Sequence, residues 1–482
     1  MTRLFLLVFY ATFLCASTPF WLQGATLTEA PNIVLVMADD QGWGQTSYNG
    51  HTRLKTPNLD AMAANGLRFN RFYAAAPVCS PTRASVLTGR TNRRTGVETH
   101  GYALRRQEFT LAQLLKKQGY ATGHFGKWHL NGLRGPGAPV LGADTHHPGV
   151  FGFDQWLSVT NFFDRDPLLS RQGKFEEFSG DSSEVVVDEA IKFMQQQVAA
   201  EQPFFAVIWF GTPHDPFVAS ADDMSEFADL EPRTQRQLGE LVAMDRSIGT
   251  LRSALRKAHV ADNTLVWFTS DNGGLPRMDP PTTGGLRGFK RSLYEGGLRV
   301  PAVVEWPARV KPRVTEFPAS SLDIVPTLAE VTGADTADLV QPQDGCSLVK
   351  LFETEIETRE KPIPFSFLNQ FVLIDNDQKL MFVGEKNPTY ELYNLKTDPQ
   401  EKNNLLKTAD AKSINLESYP LGSKLVEFRK SLQRSIAGAD YPEGHVRAGE
   451  PGPHSWMDDQ RYQPYIEAWR TRPEFKPWLK NK

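Results

Sequence analysis

Short apolar runs that stop abruptly at polar chemistry recur along the chain. Asn32–Ala38 is almost wholly apolar and stops at Asp39-Asp40-Gln41-Gly42. Residues 120–125 stop at Gly126-Lys127-Trp128-His129, 203–210 at Gly211-Thr212-Pro213-His214, and 264–269 at Ser270-Asp271-Asn272-Gly273. Runs without polar alternation are expected of strands covered on both faces, as in a parallel sheet. Stretches of helical period lie between them: 58–66 with Leu59, Met62 and Ala63 on one face, 110–119 with Leu111, Leu114 and Leu115, and 233–259. Asp181-Ser182-Ser183-Glu184 has capping-box spacing and predicts a helix from there to about residue 200. Ser80 reads as an N-cap with Pro81 in the first helical position, opening another helix, and 322–333 and 302–306 predict a further helix and strand.

This alternation predicts an α/β fold: a large, mostly parallel mixed sheet flanked by helices on both faces. Beyond residue 360 the pattern changes. Residues 365–374 and 379–384 read as meander strands around an Asp375-Asn376-Asp377 turn, followed by 390–393 and a helix near 423–436. The expected organisation is a catalytic domain over 26–360, a smaller C-terminal α+β domain over 361–440, and a Pro- and aromatic-rich tail over 441–482. Residues 131–180, rich in Gly, Pro, Asp and aromatics, read as a loop-dominated insertion suited to substrate selection.

Residues 4–16 are apolar, follow Arg3 and are too short to span a bilayer comfortably, so 1–25 reads as a secretory signal peptide and the protein as exported, periplasmic or secreted. No later stretch is long and apolar enough to span. Once Cys15 leaves with the signal, only Cys79 and Cys346 remain, too few for a disulfide framework. A formal charge of −3 gives no basic surplus for nucleic acid.

In open α/β sheets ligands bind beyond the carboxyl ends of the strands, and the polar stops above all fall there. Asp39, Asp40, Asp271 and Asn272 offer hard oxygens, the ligand set of Ca²⁺ or Mg²⁺ rather than of zinc, although an Asp-capped turn would also account for the first pair. Lys127 and His129 add an anion clamp and an acid–base group. Cys79, one residue outside a helix start, is either a buried thiol or a group working on an anion at the helix mouth.

Cys79-Ser80-Pro81-Thr82-Arg83, with Leu87-Thr88-Gly89-Arg90, resembles the signature of the formylglycine-dependent type I sulfatases of the alkaline-phosphatase superfamily. The resemblance extends to Asp39-Asp40, Gly126-Lys127-Trp128-His129, Pro213-His214, Ser270-Asp271-Asn272-Gly273, Lys290 with Glu295-Gly296-Gly297, and Glu391-Leu392-Tyr393-Asn394-Leu395. It implies removal of sulfate from a sulfated carbohydrate, with Cys79 oxidised to Cα-formylglycine by a formylglycine-generating maturation enzyme. It further implies Ca²⁺ held by Asp39, Asp40, Asp271, Asn272 and modified residue 79. Arg83 would hold the hydrate nucleophile, Lys127 and Lys290 would clamp sulfate, His214 would be the acid for the leaving alcohol, and His129 would assist the hydrate. Phosphate- or phosphonate-ester hydrolysis on the same scaffold, and an unmatured protein that only binds sulfated glycans, are the rival readings. His100, Tyr102 and Arg105, together with the 131–180 insertion and its Asn161, flank the edge and are the expected sugar pocket. Phe125 replaces a small or aliphatic residue usual in the family, and 161–165 holds no histidine where many members carry one.

Overall fold

Along Asn32–Ala38, the side chains of Ile33, Leu35 and Met37 enter one apolar cluster and those of Val34, Val36 and Ala38 enter another. Both clusters are buried, so the strand lies mid-sheet with a core on each side, which is why its sequence shows no alternation. The computed structural model describes residues 30–384, 389–406, 416 and 419–480; the signal segment expected over 1–25 lies outside them.

Eleven strands form the main sheet. At its centre Thr264–Ser270, Asn32–Ala38, Phe204–Trp209, Ala121–Lys127 and Gln155–Val159 run parallel in that spatial order. Their carboxyl ends therefore share one edge. Arg299–Glu305 runs antiparallel to Thr264–Ser270 and to Leu67–Tyr73. Two consequences follow from that reversal. Leu67–Tyr73 regains the direction of the central strands, so its exit leads to Cys79 on the same edge. The reversed strand presents its entry there, so the loop before it delivers Lys290. The mixed sheet with helices packed on it is the architecture expected, and a separate antiparallel sheet of four strands follows it toward the C terminus.

Several local expectations are corrected. The helix carrying Cys79 spans Cys79–Thr88 with Val78 as its N-cap, so Cys79 is its first residue and Ser80 instead accepts from the Gly101 N–H at 2.9 Å. Asp181 does cap Ser182–Ala199, but Glu184 makes no capping box and pairs with Arg246 at 2.6 Å. The 131–180 insertion is less loop-like than its composition suggests: Gln155–Val159, Leu168–Arg171 and Lys174–Glu177 extend the main sheet. Residues 365–374 are not one strand but parts of the hairpin Ile363–Phe367 and Gln370–Asp375, turning at Leu368 with φ +53°.

The tail is ordered by packing rather than by periodicity. Trp456, Tyr462, Trp469, Phe475 and Leu479 share an apolar cluster with Leu133, Ala138, Leu141 and Leu168 of the insertion. Trp456 Nε1 donates to the Pro136 carbonyl at 2.7 Å and Tyr462 Oη to that of Pro139 at 3.0 Å. Among the described residues no helix is long and apolar enough to cross a membrane.

Leu35→Ala, which empties a site facing the first core cluster, is expected to destabilise the protein by about 2–5 kcal/mol, read as a lower urea midpoint with unchanged slope.

Candidate active site

Three buried carboxylates meet where adjacent strands end. Asp39 and Asp40 leave Asn32–Ala38, and Asp271 leaves the neighbouring Thr264–Ser270; all three are fully buried. The Asp40 backbone N–H donates to Asp271 Oδ1 at 3.1 Å, which fixes one strand exit against the other. Like charges this close resist joint ionisation. Burial alone would favour neutral Asp39, but Lys127, His214, Arg83 and Lys290 overcome it and hold that carboxyl well below the usual range. Burial, reinforced by the charge on Asp39, pushes Asp271 up.

Cations offset the cluster. Lys127 Nζ lies 2.6 Å from Asp39 Oδ2, Arg83 Nη2 lies 2.7 Å from Asp271 Oδ2, and Lys290 Nζ lies 2.7 Å from Asp40. Arg83 Nη1 also donates to the Lys127 carbonyl at 3.2 Å, and its guanidinium sits 5.0 Å from the centre of the Trp209 ring. Gly126, with φ +105°, is required before Lys127: a Cβ there would lie 2.0 Å from the Trp209 carbonyl oxygen.

Two oxygens in the cluster have no partner. Asp39 Oδ1 and Asn272 Oδ1 are buried without a hydrogen bond, while the Asn272 amide donates to Asp40 Oδ1 at 2.8 Å and to the Gly273 carbonyl at 3.0 Å. An amide that spends its N–H groups on its neighbours and leaves its oxygen bare, beside a bare carboxylate oxygen, is a donor set that fits a hard cation. Asp39, Cys79 and Asp271 bring ligand atoms within 4.8 Å of one another, as do Asp39, Asp40 and His214.

Cys79 is buried at the head of its helix with Sγ 3.3 Å from His129 Nδ1. Burial pushes its thiol up, against the pull of Lys127 and Lys290. His129, at φ +58°, is held neutral by burial and by Lys127 and Arg83, and its Nε2 has no hydrogen-bond partner. His214 Nδ1 lies 2.6 Å from the Asp215 carbonyl, so that nitrogen carries the hydrogen and Nε2 is the free one, 3.7 Å from Asp40 Oδ2. Burial and Lys290 push His214 down to about 4 despite Asp40 and Asp39. Its ring stacks face to face on Phe162, centroids 4.6 Å apart and planes 5° apart. Phe162 thus stands in the stretch that lacks a histidine, and Phe125 packs against Phe193 in the core.

A cleft of about 690 Å³ opens over Cys79, His129, His214 and Lys290. His100 and Asn161 line it, Asn161 with its amide bound to the Gly135 carbonyl at 2.6 Å. The other two residues expected in the sugar pocket do not. Tyr102 packs on the large core, and Arg105 turns away to the Arg94 carbonyl and the Tyr441 ring. Arg134, Phe162 and Arg165 of the insertion line the cleft too, as expected of that segment, although none was singled out; sequence reasoning missed Arg291 and Trp478 in the wall. The cluster of aromatic residues in the tail was the available signal for Trp478, but nothing in its spacing tied it to this edge.

Known proteins with related sequences agree on the family. The sulfatase family model matches residues 31–334, and a model described as the C-terminal region of N-sulphoglucosamine sulphohydrolase matches 287–431. N-acetylgalactosamine-6-sulfatase of Canis lupus familiaris is 33% identical over 348 residues, 65% of this chain and 64% of that protein. The chain therefore spans a little under two thirds of the length of that relative. Arylsulfatase G of Canis lupus familiaris is 34% identical over 405 residues, covering 71% of this chain and 72% of its own. The crystal structure of Ps i-CgsB in complex with k-i-k-neocarrahexaose matches with a TM-score of 0.74 at 25% identity, over 94% of this chain and 100% of that one. The phosphonate monoester hydrolase of Agrobacterium radiobacter shares the fold, with a TM-score of 0.56 at 22% identity over 84% and 96% of the two chains.

The burial and raised thiol of Cys79 carry a direct expectation for unmodified protein stripped of metal. Iodoacetamide at about pH 8 labels Cys79 more slowly than a free thiol of ordinary pKa, measured by peptide mass spectrometry; faster labelling would mean an activated thiolate.

Proposed function

The chain belongs to the sulfatase family, and from that premise we propose that it is an exported sulfuric ester hydrolase acting on a sulfated carbohydrate. The observation that carries this reading is that Cys79 and Lys290 line a strand-end cleft next to a buried carboxylate cluster that holds Lys127 and two unpartnered oxygens.

Asp39, Asp40, Asp271 and Asn272, together with residue 79, would hold Ca²⁺, whose charge, when bound, polarises a sulfate oxygen. Formylglycine made from Cys79 would supply a geminal diol as nucleophile, in place of a thiol that burial keeps protonated. Arg83 lies one helical turn beyond Cys79 and, anchored by Asp271 and the Lys127 carbonyl, holds the side chain of residue 79 in register. Lys127 and Lys290 flank the same space and donate to sulfate oxygens as charge redistributes. His129 is neutral and has Nδ1 turned to residue 79, so it can accept a proton from that side chain.

His214 is the group that protonates the leaving alcohol. The proton it needs is disfavoured in the free site by burial and Lys290. A sulfate ester brings negative charge against the same lysine, and so raises the fraction of imidazolium once substrate is bound. Hydrogen-bonding of Nδ1 to the Asp215 carbonyl leaves Nε2, 3.7 Å from Asp40 Oδ2, as the nitrogen that would carry the transferable proton.

Maturation is tested by mass spectrometry of the Cys79 peptide after co-expression with a formylglycine-generating enzyme; an unmodified thiol in fully active protein would refute the mechanism. Panels of sulfated sugars, phosphate esters and phosphonate esters test the reaction, and a clear preference for phosphate or phosphonate overturns it. Chelation with EGTA should abolish turnover and added Ca²⁺ restore it. His214→Ala should lower kcat by roughly 10²–10⁴-fold on a sugar sulfate and far less on 4-nitrophenyl sulfate, whose leaving group needs no proton.

A further inference from the structure

Trp478 is 45% exposed, yet Phe475 and Leu479 on either side of it are fully buried. It lies in the short helix Lys476–Leu479, between Phe475 and Leu479, whose side chains fill the cluster that joins the tail to the insertion. The mount is fixed at several further points. Arg472 donates to Glu177 at 2.8 Å and to the Asp166 carbonyl at 3.0 Å, and His454–Ser455 pairs as a strand with Leu133–Arg134. A large apolar ring left in solvent on a rigid support is a surface that favours a partner.

The indole also stands in a particular place. It lines the cleft with Pro473, Glu474 and Pro477, and its ring centroid is 6.4 Å from that of Phe162. Phe162 in turn stacks on His214. Three rings thus lead from the proton donor for the leaving alcohol outward to the tail. The cleft, about 690 Å³, is of the size that buries a drug-sized ligand, more than one sulfated ring needs. Arg165 and Arg291 line the same cleft, and neither guanidinium has a hydrogen-bond or ion-pair partner among the described residues.

We propose that the tail forms the outer wall of the leaving-group side, with Trp478 as the platform on which a second sugar ring stacks, so that the substrate is a sulfated oligosaccharide rather than a monosaccharide sulfate. This deepens the sulfatase reading and rests on it for the identity of the reacting group. The apolar C–H face of a pyranose suits the indole face, while its hydroxyls stay in water. Arg165 and Arg291 supply donors for further anionic groups on the same chain, beyond the sulfate that reacts.

The test compares matured wild type, Trp478→Ala and Trp478→Phe on neocarrahexaose, on a chondroitin 6-sulfate hexasaccharide and on 4-nitrophenyl sulfate. Wild type should prefer one of the oligosaccharides in kcat/KM. On it Trp478→Ala should raise KM roughly 3- to 10-fold with little change in kcat, the range of one lost ring contact, and Trp478→Phe should recover most of the loss. The change on 4-nitrophenyl sulfate should be several-fold smaller. Equal losses on both kinds of substrate, a loss confined to kcat, or no oligosaccharide preferred over 4-nitrophenyl sulfate would overturn the proposal. A matured protein that hydrolyses no sulfate ester would instead sink the sulfatase reading. The platform is then judged by titrating intrinsic fluorescence with neocarrahexaose: binding at least threefold weaker in Trp478→Ala supports it, and unchanged or absent binding overturns it.

Discussion

The site depends on one electrostatic constraint: Asp39, Asp40 and Asp271 are buried together, with an oxygen of Asp39 within 4.8 Å of one from Asp40 and of one from Asp271, and buried carboxylates stay charged only beside compensating cations. The chain supplies three, Lys127, Arg83 and Lys290, each on a different element. Their charge does not saturate the cluster. Asp39 Oδ1 and Asn272 Oδ1 remain bare and shielded from solvent, and a divalent ion is the partner that such oxygens fit. With such an ion bound, Lys127 and Lys290 would be free to leave Asp39 and Asp40 for the anion proposed as substrate.

Sheet direction brings these groups together. Parallel strands put Asp39-Asp40, Asp271-Asn272, Lys127 and the His214 loop on one edge, as five neighbouring carboxyl ends must lie. The reversal at Arg299–Glu305 adds what parallel strands could not, the entry loop with Lys290. That reversal also explains why Cys79 arrives from the side: Leu67–Tyr73, beyond the reversed strand, points the same way as the centre and hands the chain to the Cys79–Thr88 helix.

Much of this was legible in the sequence because buried parallel strands write themselves as unbroken apolar runs, and their polar stops mark the edge. Leu67–Tyr73 was not legible, since Arg68, Asn70 and Arg71 interrupt it. Those side chains are accommodated by long-range partners, Arg68 by the Tyr48 carbonyl and Arg71 by Asp377, which no local pattern reveals. The Ser80 cap failed for a related reason: a good capping residue was taken by a tertiary bond from Gly101. Arg105 looked like a pocket residue because it is polar and near the edge in sequence, but its guanidinium is drawn to the Arg94 carbonyl and Tyr441. Trp478 shows the limit most plainly. Its tail has little periodicity and takes its order from aromatic packing on the insertion more than 300 residues earlier.

The division between these two kinds of residue has a physical basis. The groups proposed to handle the reacting atoms sit on strand ends and on a helix wholly enclosed by the core, where burial tunes their charge and leaves little freedom to vary. The proposed outer wall is built from an insertion and a tail that pack on each other through Trp456, Tyr462 and Trp469. Changes in that pair can reshape the cleft mouth while the carboxylate cluster keeps its partners. The link between the layers is narrow: Phe162, whose ring touches His214 on the inside and neighbours Trp478 on the outside. A sugar ring held at the wall, as proposed, would therefore add binding one stacked ring away from His214 without touching the groups proposed to carry the reaction.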